Sequence, residues 1–253
     1  MRRRMSVRCR CSRGTDVDAL RALLEDGLRP RMVHTVSNFH NPTGSTLTAV
    51  RRVELANLAQ QYDFWIVEDD PYRDIWFDTP APAPIPGDRV IRLGSVSKIL
   101  APALRVGWMS APLPVRNAVE TFKQGADLCG SSLTHLIAAE LLADEKWLDG
   151  HLEVLRSRYG SRAIALGGAL RAAFGDDIDF DTPTGGLFLW VRSLAGVDFS
   201  ALLMVAVDHG VAFVPGSAFD SGSAGSARMC FATADENILG VAVERLRGAV
   251  RQG

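Results

Sequence analysis

Cysteine is scarce in this chain, and long apolar runs are absent. The four cysteines among 253 residues are too few and too scattered for a disulfide framework. No stretch approaches the ~18 consecutive apolar residues of a membrane-spanning helix, and the N-terminal stretch lacks the apolar core of a secretory signal. We therefore expect a protein of the reducing cytoplasm with no membrane partner.

Histidine and net charge are also low. The five histidines show no metal-ligand spacing, so we predict no metal site. The formal charge of −1 conceals an asymmetry, because residues 1–14 carry six arginines and no acid, which leaves 22 basic against 29 acidic side chains elsewhere. A basic tail can bind nucleic acid or direct import, but residues 1–14 show no helical period. We predict a disordered tail there and, because the remainder is acidic, no nucleic-acid partner.

The order of apolar runs and helical spacing predicts an α/β protein. Strongly apolar strands separated by helices in the first half favour a mostly parallel sheet flanked by helices. Helical patterns fill residues 113–173, and short strands with two helices then predict a smaller α+β domain. The predicted helices of the first half cover 17–28 and 48–61, its strands 32–36, 64–67, 90–93 and 105–111; the later strands cover 178–181, 186–191, 211–214 and 228–231, and the later helices 198–209 and 235–250.

Polar groups follow several of these apolar runs. Asn41-Pro42-Thr43-Gly44 is a turn by composition, Asp69 and Tyr72 follow a strand, and Ser95-Val96-Ser97-Lys98 follows the next one. A lysine amine can condense with a carbonyl group, and hydroxyl groups with an arginine can hold a phosphate. Taken singly, each motif also has an ordinary interpretation as a turn, a capping acid or a solvated lysine. Glu68 and Asp70, which flank Asp69, are interpreted as acids that are either solvated or in contact with the site residues rather than with the ligand.

The order and spacing of these motifs together resemble the class I and II aminotransferases, fold-type I enzymes that use pyridoxal 5′-phosphate (PLP). The resemblance runs from about Asp16 to the C-terminus and includes 183–188, 211–216 and Arg228 on a late strand. Residues 39–44 and 68–72 are similar to the 2-aminoadipate and aromatic aminotransferase branch, which is close to the aminotransferase-like domains of MocR-type regulators. The resemblance implies part of a PLP-binding large domain at 15–150 and a small domain at 151–253.

The resemblance implies a role for each motif in PLP-dependent transamination of an α-amino acid with a 2-oxo acid. Lys98 would form the Schiff base with PLP and then move the proton at the substrate Cα. Asp69 would pair with the pyridine nitrogen and keep it protonated. The resemblance further implies that Asn41 and Tyr72 hydrogen-bond the phenolic oxygen, and that the Asn41–Pro42 bond is cis.

The remaining implied roles concern the phosphate and the substrate. Ser95, Ser97 and Arg105 match phosphate ligands, since an arginine fork suits a phosphate dianion. Arg228 matches the arginine that binds the substrate α-carboxylate, with Asn41 and Gly186 on the substrate side. The family also implies a homodimer.

The family is longer at its N-terminus than this chain, so we interpret the sequence as N-terminally truncated. This interpretation predicts exposed apolar surface and impaired PLP binding and turnover. Three alternatives to a working aminotransferase stay open: the PLP-binding sensor domain of a MocR-like regulator, a PLP-dependent lyase on the same fold, and a non-catalytic remnant.

Overall fold

The structure, a computed structural model, describes residues 15–220 and 222–252. The chain forms two compact units. The first contains the described residues up to Ser37 together with Thr46–Pro71 and Pro82–Ala138; the second contains Asn38–Ser45, Tyr72–Ala81 and the described residues from Ala139 onward. The predicted basic tail lies outside the described residues. The predicted boundary between residues 150 and 151 falls inside a helix and stays a prediction.

A four-stranded sheet organises the first unit. Its strands lie in the order β1-β2-β3-β4, in which the first three are parallel and β4 runs antiparallel to β3. Parallel strands place their carboxyl ends at one edge, where open α/β sheets bind ligands. The predicted α/β class with a mostly parallel sheet is confirmed. The strands are β1 (Met32–Val36), β2 (Trp65–Asp69), β3 (Val90–Ser95) and β4 (Gly107–Ser110).

Two helices, α1 (Val17–Glu25) and α2 (Ala49–Tyr62), are capped by a side chain at the first turn and share a hydrophobic core with the sheet. The Asp16 side chain accepts a hydrogen bond from the Ala19 amide at the start of α1, which satisfies one of the free N–H groups of the first turn. The sequence predicts this helix as far as residue 28, but it ends at Glu25, because Gly27 takes a positive φ of 96° and turns the chain. Two more helices follow β4, α3 (Leu113–Ala126) and α4 (Ser132–Ala143), and the first unit ends at Ala138 within α4.

The core of the first unit lies between α1, α2 and the sheet. Leu24, Leu55, Phe64 and Ile66 are each fully shielded from solvent there. By contrast, α3 buries none of its residues, and Phe122 is 81% exposed. The predicted exposure of apolar surface is therefore present in this unit. The other exposed large apolar side chains of this region are Leu113, Val119, Leu128, Leu133, Leu136 and Ile137.

A buried ion pair ties this core together. Arg52 of α2 and Glu68 of β2 are each only 1% exposed, and Arg52 Nη1 donates to Glu68 Oε1 at 3.1 Å. Ser37 Oγ also donates to Glu68, at 2.8 Å, as do the Ile85 amide at 3.2 Å and Arg92 Nε at 3.4 Å. The sequence left open whether Glu68 is a solvated acid. It is not, because four protein donors take the place of water around its carboxylate.

The second unit is an α+β fold around an antiparallel sheet with the order β5-β6-β8-β7. Its core contains Leu170, Leu189 and Ala249 from three different elements and Phe231 from the bend after β8, all at most 1% exposed. Within the described residues, no helix of either unit combines the length and the apolar character needed to cross a bilayer. The elements are α5 (Glu145–Phe174), β5 (Ile178–Asp179), β6 (Phe188–Ser193), α6 (Phe199–Asp208), β7 (Val214–Pro215), β8 (Ser226–Cys230) and α7 (Glu236–Val250).

Candidate active site

Five of the predicted site residues lie at the carboxyl edge of the sheet in the first unit: Asp69, Ser95, Ser97, Lys98 and Arg105. Asp69 ends β2 and Ser95 ends β3. Because Asp69 pairs with Leu93 in the parallel register, strand alternation places Asp69, Leu93 and Ser95 on the same face. The fold thus brings a carboxylate and a hydroxyl group to one edge.

Lys98 lies in the turn that follows β3. It is half-buried, while its neighbours Val96 and Ile99 are buried and anchor the turn. Within residues 15–220 and 222–252, no hydrogen bond or ion pair engages its amine. The other two lysines of the chain, Lys123 and Lys146, are exposed, and Lys123 pairs with Asp127 at 2.6 Å. Lys98 therefore carries an anchored amine that is available to a ligand.

The serines next to Lys98 shape the turn. Ser95 Oγ accepts a hydrogen bond from the Ser97 amide at 3.1 Å and donates one to the Val106 carbonyl oxygen at 3.3 Å. Arg105 is exposed, adopts a left-handed backbone with φ 55°, and donates from Nη1 to the Pro102 carbonyl oxygen at 3.4 Å. The guanidinium thus keeps further N–H donors for an anion.

Asp69 has a partner that the sequence-based interpretation missed. His34 Nε2 of β1 lies 3.5 Å from Asp69 Oδ2. The hydrogen bond to Asp69, followed by the charge of that carboxylate, raises the pKa of His34 above its ordinary value against the opposing effect of partial burial. The signal in the sequence is weak, because only the strand register shows that His34 and Asp69 share a face.

The other predicted site residues, Asn41, Tyr72, Gly186 and Arg228, belong to the second unit. Arg228 on β8 donates from Nη1 to Asn41 Oδ1 at 2.7 Å. The Asn41–Pro42 peptide bond is cis, as the resemblance implied. Because Asn41 Oδ1 accepts from Arg228, the amide NH2 of Asn41 is the group that remains to donate.

Aromatic rings enclose the Arg228 guanidinium. Its Cζ lies 4.2 Å from the ring centroid of Phe188 and 5.2 Å from that of Phe219. Phe188 in turn meets the buried Tyr72 edge to face at 6.1 Å. Arg228 Nε is buried and has no hydrogen-bond partner among the described residues. A buried unpaired N–H is costly, and a carboxylate would satisfy it. Phe219 comes from a turn without a sequence motif and was not predicted.

Gly186 and its neighbour Gly185 are explained by close backbone packing. Gly186 has a φ of 73°, a conformation that favours glycine, and its amide donates to the Ile75 carbonyl oxygen at 2.7 Å. A Cβ on Gly185 would lie 2.5 Å from that same oxygen and even closer to the Phe39 ring. A contact of Gly186 with a substrate stays a prediction.

We expect Gly185→Ala to destabilise the second unit by about 1–3 kcal/mol, because the methyl group meets a backbone oxygen that cannot move freely. Urea unfolding measures the effect. The matched control is Gly168→Ala, at an exposed site in α5 where nothing lies within 4 Å of the added Cβ. That change should stabilise by about 0.5–1 kcal/mol through helix propensity. Equal effects of the two substitutions would contradict the steric explanation.

The comparisons with known proteins show the family of the chain. The family model described as aminotransferase class I and II matches residues 2–246. The chain belongs to this family. Among its relatives is the aromatic-amino-acid aminotransferase 1 of Thermococcus litoralis, 37% identical over 214 residues that cover 81% of this chain and 51% of the relative. The 2-aminoadipate transaminase of Thermus thermophilus is 32% identical over 249 residues, which cover 94% of this chain and 62% of the relative. The predicted branch of the family is thereby confirmed.

Solved structures place the chain among the fold-type I aminotransferases. LysN, an α-aminoadipate aminotransferase from Thermus thermophilus solved with N-(5′-phosphopyridoxyl)-L-leucine, gives a TM-score of 0.89 at 31% identity and covers 96% of this chain and 64% of its own. The kynurenine aminotransferase of Pyrococcus horikoshii gives a TM-score of 0.86 at 33% sequence identity. The match covers 93% of this chain and 59% of that protein.

A transcriptional regulator is similar to the chain as well. The uncharacterized HTH-type transcriptional regulator YisV of Bacillus subtilis is 30% identical over 208 residues, which cover 81% of this chain and 43% of the regulator. The chain spans about half to three fifths of the length of the two aminotransferase relatives that it matches.

Proposed function

We propose that this chain binds PLP through Lys98 and transfers an amino group between an α-amino acid and a 2-oxo acid. The observation that carries the proposal is the half-buried Lys98 amine, which has no partner in the described part of the chain and follows the strand that ends in Ser95. Family membership supplies the reaction class. When bound, PLP supplies an electron-accepting ring that weakens a bond at the substrate Cα.

The residues of the first unit suit the groups of PLP. An anchored amine suits its aldehyde, and the Asp69 carboxylate suits a protonated ring nitrogen. Ser95, Ser97 and Arg105 offer hydroxyl and guanidinium donors, which suit a phosphate. In this proposal Lys98 also accepts and returns the proton at the substrate Cα, as a general base and then a general acid.

The residues of the second unit suit the substrate carboxylate. Arg228 is held by Asn41 and by two aromatic rings, so its fork is already oriented before a ligand arrives. Its buried Nε lacks a partner in the described chain and would gain one from a carboxylate oxygen. That Asn41 and Tyr72 hydrogen-bond the phenolic oxygen of the cofactor stays a prediction that the resemblance implies. The proposal also includes a contact of Gly186 with the substrate.

The proposed substrates are one α-amino acid and one 2-oxo acid. The names of the relatives concern aromatic amino acids, 2-aminoadipate and kynurenine, and these three are the first amino donors to test. A homodimer and a cytoplasmic location stay predictions.

A second candidate function is a PLP-binding sensor that does not turn over. The 30% identity to an HTH-type transcriptional regulator favours it. Both functions require the amine of Lys98, so cofactor binding does not separate them. Stoichiometric formation of a new amino acid from 2-oxoglutarate separates them, because a sensor only binds.

The test is to mix the purified chain with PLP, reduce the mixture with borohydride and map the adduct by mass spectrometry. The chain has only three lysines, so the peptide map separates their adducts from one another and from an adduct at the N-terminal amine. We expect the label on Lys98, and turnover of an amino donor with 2-oxoglutarate. A label on Lys98 without turnover would favour the sensor. A label spread over Lys123 and Lys146, or no label at saturating PLP, would refute the proposed function.

A further inference from the structure

His34 and Asp69 form a pair within the sheet of the first unit. In the parallel register of β1 and β2, His34 lies opposite Val67, and Val36 lies opposite Asp69. Side chains two residues apart on a strand point to the same face, so His34 and Asp69 meet diagonally across the strands. Their closest polar atoms, His34 Nε2 and Asp69 Oδ2, are 3.5 Å apart.

The Asp69 carboxylate is held on one side only. His34 is the side chain that engages it in the part of the chain that the structure describes, and this contact involves Oδ2. Oδ1 accepts no hydrogen bond from residues 15–220 or 222–252. The Asp69 side chain is 37% exposed, so the carboxylate group is accessible from solvent.

The other charged side chains of the strands lie on the opposite face of the sheet from His34 and Asp69. The register places Glu68 and Arg92 on the opposite face, where they contact each other. Arg89 precedes β3 at the other end of the strands and pairs with Asp63. Among the strand residues β1 to β4, His34 and Asp69 are thus the titratable side chains of their face. Asp69 is accordingly the charge that acts on His34.

We propose that His34 is a positioning residue for Asp69, holding Oδ2 and balancing the negative charge so that Oδ1 is presented to the ring nitrogen of the cofactor. This inference rests on the proposed function, in which Asp69 contacts that nitrogen. A contact to one carboxylate oxygen fixes the orientation of the group and leaves the other oxygen directed at the ligand. His34 acts through Asp69.

The direction of the pH dependence follows from the pairing. Asp69 raises the pKa of His34 in the folded chain. The contribution of the charged pair is therefore complete below the ordinary histidine pKa of about 6.5 and is lost as the pH rises through the higher folded value. A neutral imidazole keeps at most a hydrogen bond to Asp69.

The pairing is tested first on the chain without PLP. NMR titration follows the five imidazole groups, and His34→Gln identifies the His34 signal. We expect the pKa of His34 to lie above its ordinary value and to fall in Asp69→Asn. The control Asp63→Asn removes an exposed carboxylate of the same unit and should leave it unchanged. The same His34 pKa in the unsubstituted chain and in Asp69→Asn, with the other four signals intact, would overturn the pairing.

The role toward the ligand is tested by PLP affinity. We compare dissociation constants of the unsubstituted chain, His34→Phe, His34→Gln and the control His135→Gln, an exposed histidine of α4. His34→Phe should weaken binding about tenfold, the range for residues that orient a ligand-binding side chain. Since glutamine can donate a hydrogen bond but carries no charge, His34→Gln should weaken binding at pH about 6 and much less at pH about 8.5.

Three outcomes are decisive. A His34→Gln effect that is equal at both pH values means a merely structural role and overturns the positioning role, as does unchanged affinity in His34→Phe. Failure of every chain, including the unsubstituted one, to bind PLP refutes the proposed function and with it the role toward the ligand. The NMR titration does not depend on PLP and still decides whether His34 and Asp69 are paired.

Discussion

Replacing Lys98 with alanine should abolish the borohydride-fixed PLP adduct and lower the rate of amino transfer by at least about 10²–10⁴-fold. The lower bound is the usual contribution of a positioned proton-transfer group, and the covalent attachment adds to it. The measurement is the initial rate of 2-oxo acid formation from an amino donor and 2-oxoglutarate at saturating PLP, corrected for the reaction of free PLP.

Three further variants make this prediction specific. Lys98→Arg keeps the positive charge, but a guanidinium does not give up its proton near neutral pH, so this variant should be as impaired as Lys98→Ala. Lys123→Ala and Lys146→Ala remove the two exposed lysines and should leave both adduct and rate unchanged. If Lys98→Arg retained most of the rate, Lys98 would act as a charge and the assigned proton transfer would be wrong.

The location of Lys98 in a turn after a strand was predictable because local sequence carries its features, whereas its role stays a prediction. A strand, a small hydroxyl-rich turn and a lysine follow one another within ten residues, and their spacing to the turn at Asn41 and to Asp69 resembles one family. The cis bond at Asn41–Pro42 was implied in the same way and is present. Motifs of this kind are read along the chain, so no knowledge of the register between strands is needed.

The partner of Asp69 was not predictable from these motifs. His34 contacts Asp69 only because β1 and β2 are parallel and Val36 pairs with Asp69. A shift of one residue would turn His34 to the opposite face. The aromatic rings around Arg228 were not predictable for the same reason, since Phe219 reaches the guanidinium from a turn whose path depends on tertiary packing.

The burial of Glu68 shows the same dependence on tertiary structure. Three adjacent positions, Glu68, Asp69 and Asp70, look alike as a run of acids. Alternation sends Glu68 to the covered face, where Arg52 of α2 meets it, whereas Asp69 turns to the other face. The sequence offers no sign of this, because Arg51 and Arg52 are also adjacent and only one of them points inward.

Removing the buried arginine should destabilise the first unit strongly. Arg52→Met keeps much of the side-chain volume but leaves Glu68 buried with Arg92 as its remaining charged partner, at 3.4 Å and with a side chain that is 40% exposed. Breaking a buried pair from one side typically costs about 3–5 kcal/mol. Arg52 also donates to the carbonyl oxygens of Leu47 and Ser37, which lose these bonds. Urea unfolding followed by circular dichroism measures the loss.

Arg51→Met is the matched control for that measurement. Arg51 is the preceding residue of the same helix, and its pairs with Asp18 and Glu54 are at the surface, where solvent screens them. Its removal should shift the urea midpoint little. The double variant Arg52→Met/Glu68→Gln should be more stable than Arg52→Met alone, because it no longer buries an undercompensated charge. If the double variant were less stable than the single one, packing and the lost carbonyl contacts of Arg52 would dominate, and the ion pair would not be what stabilises this core.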